Sequence, residues 1–377
     1  MDGAMSRRYS YGYGSYHGRS GFRTFLKILI VLLMIVLLLA VGAFFFLERY
    51  LVYDTDGAHL EIPFFQWGGS PSPSQVSSQP SPGGGLAVVP SPPVVTPTPI
   101  PTPTPTPEPQ TLQAVQLPRT ALYDGTAAQQ MASGGGNAVL FDMKADDGTL
   151  GYISSLEIAK AAGVSASDPA LNAAIQALCQ EDLYTIARVS CFRDHTTPRK
   201  LNRLSIKTNS GYNWSDEREL RWMSPTNQEV QQYITGICVE LAALGFDEIV
   251  LDNAAYPTAG NLHYIKKGSA YDAAQFSTIV SEFYTQVRTA LAVYPDVKLS
   301  IVTDAETVAA GTNTTSGQSI ANLLQTADRL WIPAGTETWS QYVQQLSAQG
   351  MTDPVVQLVV MTAQAGGPGE NWAIVTQ

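Results

Sequence analysis

Residues 28–47 read ILIVLLMIVLLLAVGAFFFL, twenty consecutive apolar residues without a charge. At about 1.5 Å of rise per residue, such a helix crosses the roughly 30 Å hydrocarbon layer of a bilayer. A run that is apolar on every side has no face to offer water, so it predicts a transmembrane helix rather than a buried core helix. It is longer than the roughly 7–15-residue apolar core of a cleaved signal peptide, and Phe44-Phe45-Phe46 is a poor small-residue cleavage site. Residues 1–27 hold five basic residues and one acidic residue, net +4, whereas the rest of the chain holds 17 basic and 31 acidic residues, net −14. Basic flanks stay on the cytoplasmic side. The expected topology is a cytoplasmic tail at 1–27, a single pass through the plasma membrane at 28–47, and an extracytoplasmic remainder. The Tyr-, Gly- and Ser-rich tail is expected to be disordered.

A second feature divides the extracytoplasmic remainder. Residues 68–110 carry 14 of the 24 prolines and run into TPTPIPTPTPTPEPQ. Proline fixes φ and removes a backbone donor, so this stretch can build neither helix nor ladder. The expectation for 48–110 is a linker whose Pro/Ser/Thr-rich part is an extended stalk rising about 3.1 Å per residue. The low overall share of charge, 14%, and the net charge of −10 exclude a basic nucleic-acid binder, and three cysteines exclude a disulfide framework.

Residues 111–377 suit one large domain, since a (β/α)8 barrel takes about 250 residues. Short apolar runs predict strands at Thr120–Tyr123, Ala138–Met143, Tyr184–Ser190, Glu248–Asp252, Lys298–Val302, Arg329–Ile332, Val355–Val360 and Trp372–Val375. Between them, Ser167-Asp168-Pro169 opens a helix to about Gln180, Ser224-Pro225 opens one to about Leu244, and further helices are expected at Tyr271–Val293, Ile320–Thr326 and Trp339–Ala348. Alternation of this kind argues for a parallel sheet covered by helices, and eight strands favour a closed barrel of TIM type, irregular at its C-terminus.

The active face of such a barrel lies at the C-terminal ends of its strands. Strand alternation places Asp142, Asp252 and Asp304 toward the axis at that end, with Val139, Phe141, Ile249, Leu251, Leu299 and Ile301 toward the helices. Strands about 4.8 Å apart can set Asp252 and Asp304 at the separation of a glycosidase carboxylate pair, roughly 5–9 Å. One carboxyl must then stay protonated beside an ionised partner, which burial and mutual repulsion can arrange. The structural alternative is that Asp residues at strand ends cap the next loop and that Arg188 neutralises Asp252 or Asp142 in a buried ion pair.

Other chemistry finds less support. The four histidines form no HExxH pattern, and no metal or other cofactor is expected. Asp146-Asp147-Gly148 reads as a turn before it reads as a Ca²⁺ ligand set. Cys179 and Cys238 sit in apolar helical settings and read as buried thiols, while a Cys179–Cys191 bridge stays open. Trp214, Trp222, Tyr256, Trp331 and Trp339 lie on or near loops, where each suits a sugar-ring platform or the core equally.

The blocks NAVLFDMKADDG, DLYTIARVSCFRD, Trp222 with SPTNQEV, and LGFDEIVLDNAAYP resemble the bacterial "putative glycosyl hydrolase" domain family, a (β/α)8-barrel family distantly related to alpha-amylase-like enzymes. The resemblance covers most of residues 119–360. Asp142, Lys144, Asp146, Asp147 and Gly148 match the family's second-strand block, Ala187, Arg188, Phe192 and Asp194 its third, and Asp252 and Pro257 its fourth. This chain departs from the family pattern with Asn253 for a Tyr, Ala255 for an Arg and Tyr256 for a Phe, and Trp331-Ile332-Pro333-Ala334-Gly335 replaces a later block.

Together these readings predict a membrane-anchored, extracytoplasmic glycoside hydrolase acting on a polysaccharide or cell-wall glycan. Asp252 is the expected nucleophile or transition-state stabiliser, and Asp304 or Glu306 the general acid/base. Asp142, Lys144, Arg188, Asp194, Trp222 and Tyr256 are the expected substrate contacts. The second expectation, prompted by the departures after Asp252, is a catalytically degenerate barrel that grips glycan without cleaving it.

Overall fold

The computed structural model describes residues 111–375, together with the backbone of 51–54 and 57–60. The predicted membrane span at 28–47 and the stalk at 68–110 lie outside the described residues. Among the described residues, no helix is long and apolar enough to cross a membrane. In the N-terminal unit, Leu51–Asp54 pairs with Gly57–Leu60 as an antiparallel hairpin.

The C-terminal unit is a closed barrel of eight parallel strands. In chain order they are β1 (Gln113–Leu117), β2 (Ala138–Lys144), β3 (Tyr184–Ser190), β4 (Glu248–Asp252), β5 (Lys298–Val302), β6 (Arg329–Pro333), β7 (Leu358–Thr362) and β8 (Trp372–Ile374). Neighbours in sequence are neighbours in the barrel, and β8 closes onto β1 with Ala373 opposite Ala114. The main covering helices are α1 (Ala127–Ser133), α2 (Glu157–Ala162), α3 (Leu171–Leu178), α4 (Gln228–Leu244), α5 (Phe276–Ala290), α6 (Ala305–Ala310), α7 (Ile320–Thr326) and α8 (Trp339–Ala348).

Two strands differ from expectation. Thr120–Tyr123 is not the first strand: Arg119–Leu122 is a single 3-10 turn, and Gln113–Leu117 takes the strand position. Arg119 is held there by the backbone oxygens of Asp142, at 2.6 Å, and Thr149, at 3.0 Å. The seventh strand begins at Leu358, because Asp353-Pro354 starts a helical turn through Gln357. Proline at a first helical position lacks a donor that the turn would leave unpaired anyway. Helix starts also move inward. Asn227 caps α4 by accepting from the Glu229 amide at 2.9 Å, so Ser224-Pro225 belongs to the preceding turn.

Side-chain alternation holds as the sequence implies. Val139, Phe141, Ile249, Leu251, Leu299 and Ile301 pack in the large cluster between strands and helices. Ala114, Leu140, Ile186, Val250, Trp331, Val359 and Ala373 fill the barrel itself. Below that apolar layer, Glu248 is fully buried and accepts from Ser300 Oγ at 2.5 Å, Tyr184 Oη at 3.1 Å, Trp331 Nε1 at 3.2 Å, and Arg329. A buried carboxylate needs such saturation, because desolvation otherwise costs several kcal/mol. The N-terminal end of the barrel is therefore closed by a polar knot around Glu248.

Candidate active site

At the opposite end, β2, β3 and β4 converge on one guanidinium. Arg188 points inward from β3 and reaches Asp142 Oδ1 at 2.9 Å, Asp146 Oδ1 at 2.8 Å and Asp252 Oδ2 at 2.6 Å. Burial opposes charge on Arg188, but these three carboxylates outweigh it and push its pKa further up. Burial would likewise raise Asp146, yet Arg188 and then Arg193 hold its carboxyl below the ordinary aspartate range. Arg193 carries the network on, to Asp146 at 3.3 Å and Asp216 at 2.7 Å. Asp216 is fixed further by Trp222 Nε1 at 3.0 Å and by the Arg218 and Leu220 amides, both at 3.0 Å.

The residue after Asp252 has its own backbone demand. Asn253 adopts φ +47, a left-handed conformation that Asn tolerates better than most residues. In that conformation its amide donates to Asp252 Oδ1 at 2.7 Å, and its side chain reaches Ser190 Oγ at 3.0 Å and Asp146 Oδ1 at 3.3 Å. Both oxygens of Asp252 are thus engaged, and the carboxylate is held in one orientation.

An open cleft of about 240 Å³ sits at this end of the barrel. Asp252 lines it from the end of β4, Asn253 and Tyr256 from the loop that follows, Asp304 from the loop after β5, and Asp216, Glu217 and Trp222 from the loop after β3. The sequence-predicted Asp252 and Asp304 therefore share one cavity. Asp304 is also the N-cap of α6: it accepts from the Thr307 amide at 2.6 Å and from Asn313 Nδ2 at 3.3 Å. Glu306 is exposed in the first turn of α6 and is not among the lining residues.

Lys144 and Asp194, expected as substrate contacts, take a different place. Each is fully buried, and they pair at 2.9 Å while Lys144 also donates to the Ser190 carbonyl at 2.7 Å. The strand register shifts between Asp142 and Lys144, and such an irregularity re-aims a side chain that plain alternation would misplace. The backbone just after Asp194 holds the Asp146-Asp147-Gly148 turn, with the His195 and Thr196 amides donating to the Asp146 and Asp147 carbonyls at 3.2 and 3.1 Å. Trp222 and Tyr256 do line the cleft but are almost wholly buried. Tyr256 stacks on Phe276 with ring centroids 3.6 Å apart, and burial pushes its hydroxyl up to about 12. Trp214 and Trp331 are core residues. No bridge joins Cys179 and Cys191; both are free and buried, as is Cys238.

Asp216 was not singled out by sequence reasoning. It sits in a long irregular loop as Ser215-Asp216-Glu217, where a solvated turn explains the residues equally well, and only the nearby Trp222 hinted at a packed role. Among the described residues, no group of three or more His, Cys, Asp or Glu is placed to hold a metal ion. What the mouth can offer is fixed carboxylates, arginine-ordered charge and a polar floor with Gln318, which donates to the Val302 carbonyl at 3.0 Å.

The chain is similar to several solved structures. A hypothetical protein from Ruminiclostridium thermocellum is 26% identical, with 50% of this chain and 96% of that one covered and a TM-score of 0.43. The glycoside hydrolase domain of PgaB (BpsB) from Bordetella bronchiseptica is 14% identical, covering 70% of this chain and 93% of that one at a TM-score of 0.46. The glycoside hydrolase domain of PelA from Pseudomonas aeruginosa is 12% identical, covering 67% and 84% at a TM-score of 0.39. No curated protein matches. The profile of one family, described as "Putative glycosyl hydrolase domain", matches residues 127–333, more than half of the chain and all of the segment from α1 through β6. The chain belongs to that family.

Proposed function

We propose that this chain is a membrane-anchored glycoside hydrolase whose barrel stands outside the plasma membrane on a proline-rich stalk. In this reading residues 1–27 are cytoplasmic, 28–47 span the membrane once, 48–110 form the linker and 111–377 act on a polysaccharide or cell-wall glycan. The observation that carries it is the cleft at the C-terminal mouth of the barrel, lined by both Asp252 and Asp304. Asp252, oriented by Arg188 and the Asn253 amide, attacks the anomeric carbon or stabilises the positive charge that develops there. Asp304, or Glu306 from the same turn, gives its proton to the leaving glycosidic oxygen. Water then supplies the hydroxyl of the new reducing end and returns a proton to that carboxylate. No cofactor takes part.

The test is reducing-end release from a panel of polysaccharides and cell-wall sacculi by the full-length chain in detergent. Asp252→Asn keeps one acceptor oxygen for Arg188 but removes the charge and the second acceptor, which the Asn253 amide uses, and should lose at least about a hundredfold in rate. Undiminished release by Asp252→Asn would remove Asp252 from the mechanism. The anchored topology predicts that protease added to intact cells degrades the barrel while leaving the first 27 residues protected.

A second reading has a specific observation behind it. Both Asp252 oxygens are occupied, and Asp304 is committed to a helix cap. A barrel that grips glycan without cleaving it accommodates those commitments. It predicts binding on the same panel with no new reducing ends.

A further inference from the structure

The aromatic residues that the sequence offers as platforms near loops are mostly core, but two others are not. Tyr212 and Tyr264 are 75% and 55% exposed. They belong to different loops, after β3 and after β4, and the backbone brings those loops together. Asn209 donates its amide to the Tyr264 carbonyl at 2.8 Å, Thr208 donates its amide to the Tyr212 carbonyl at 2.8 Å, and Thr208 bridges to Ile265. The Trp214 indole donates to the Asn261 carbonyl at 3.1 Å, and the Lys266 amide to the Lys207 carbonyl at 2.8 Å. His263 lies beside Tyr264, with ring centroids 4.1 Å apart.

Single exposed aromatics are ordinary on protein surfaces. Here two of them sit on one stitched pair of loops, and the same loops build the wall of the cleft. Asp216 and Glu217 line it from one loop, Thr258 and Ala259 from the other. The loops touch there so closely that a Cβ on Gly260 would lie 3.1 Å from Asp216 Cα. From Asp216 to Tyr212 is four residues, at most about 14 Å of chain, so the aromatic tip lies within reach of an oligosaccharide that occupies the cleft.

We propose that Tyr212 and Tyr264 form an outer sugar-binding platform that takes pyranose rings of a polysaccharide chain running out of the cleft. The proposal rests on the glycan-acting reading of the cleft. The C–H face of a pyranose carries partial positive charge and packs on the negative face of an aromatic ring. Tyr adds a hydroxyl that can bond a sugar hydroxyl. Held on hydrogen-bonded loops, these rings lose little conformational freedom on binding, which leaves more of the contact energy as affinity.

The experiment is affinity electrophoresis of the full-length chain in detergent through gels holding β-glucan, xylan or soluble starch, paired with co-sedimentation on cell-wall sacculi. The expected result is that at least one polymer retards or sediments the wild type. Tyr212→Ala/Tyr264→Ala should weaken that binding about tenfold or more, and Tyr212→Phe/Tyr264→Phe should restore most of it by keeping both ring faces. Equal binding by the alanine variant, or no binding of the wild type to any of these polymers, overturns the platform. Reducing-end release is read in parallel, so the two claims fail separately: binding lost by the alanine variant without product release from the wild type leaves the platform and removes the hydrolase, and the converse does the reverse.

Discussion

Arg188 meets Asp252 through two nitrogens, Nε at 2.8 Å and Nη2 at 2.6 Å from the same Oδ2, while its other contacts hold Asp142 and Asp146. One cation thus orients three carboxylates at the barrel mouth and holds the Asp146 carboxyl below its ordinary range. Its removal has consequences that depend on pH in a defined direction.

Arg188→Met should destabilise the barrel by about 3–5 kcal/mol at pH 7, the usual cost of leaving buried charge unpaired. In the wild type the Asp146 carboxyl is held below its ordinary value, so its contribution is present above about pH 4 and is lost as pH falls through the folded value. In the Met variant Asp146 loses its leading counter-charge while burial still favours its neutral form, so it binds protons more readily than in the wild type. The deficit should shrink as pH falls from 7 toward 4. Urea unfolding at pH 7 and pH 5 checks this, and a deficit that grows on acidification contradicts it.

Asp304 caps α6, and substitution can separate that role from proton transfer. Asn caps helices about as well as Asp, so Asp304→Asn should leave stability within about half a kcal/mol, whereas Asp304→Ala should cost about 1 kcal/mol. If Asp304 also transfers a proton, both variants lose glycan cleavage alike. If Glu306 has that role, Glu306→Gln loses it and Asp304→Asn does not. Thermal melts with reducing-end assays on the three variants decide between these.

Gly148 is confined twice over. It adopts φ +91, and an added Cβ would lie 2.2 Å from Asp194 Oδ1, whose carboxylate cannot withdraw without breaking its pair with Lys144. Gly148→Ala should cost more than the roughly 1 kcal/mol of ordinary backbone strain, about 2–4 kcal/mol in all. Melting temperatures of wild type and variant measure it.

Burial raises the Cys179 and Cys238 thiols to about 12, and raises Cys191 well above its ordinary value. Thiolate is the reactive form, so the native chain should resist a thiol-disulfide reagent at pH 8. Three equivalents should react in denaturant without prior reduction. Rapid labelling of the folded chain would contradict this.

The sequence made the barrel legible where strand ends carried their own signature. EIVLD places Glu248, Val250 and Asp252 on one face, and the fold keeps them there. Alternation brought Asp142 and Asp252 to one mouth, and the alternative reading of Arg188 as their ion-pair partner matches its contacts. What pattern could not show was geometry made by irregular chain. The register shift after Asp142 buries Lys144 against Asp194, a short apolar run at Thr120–Tyr123 coils into a 3-10 turn, and the loop holding Tyr212 and Asp216 has no period to read. Tryptophans near loops are the obvious platform candidates in a sequence. The exposed rings are instead tyrosines, whose polar tip lets them stand in water without betraying themselves by hydropathy.

The two polar centres on β4, Glu248 below and Asp252 above, have Val250 between them and the apolar filling of the barrel around it. Two residues of strand rise separate each from Val250, about 13 Å in all between the centres. The departures at Asn253, Ala255 and Tyr256 all fall beyond the last strand residue, on the mouth side of that layer. The lower knot can therefore keep the barrel shut while the loop after β4 exchanges one side chain for another. The latitude belongs to the loop beyond Asp252, where a family member can change side chains without unmaking the scaffold that Glu248 and Arg188 each help to hold.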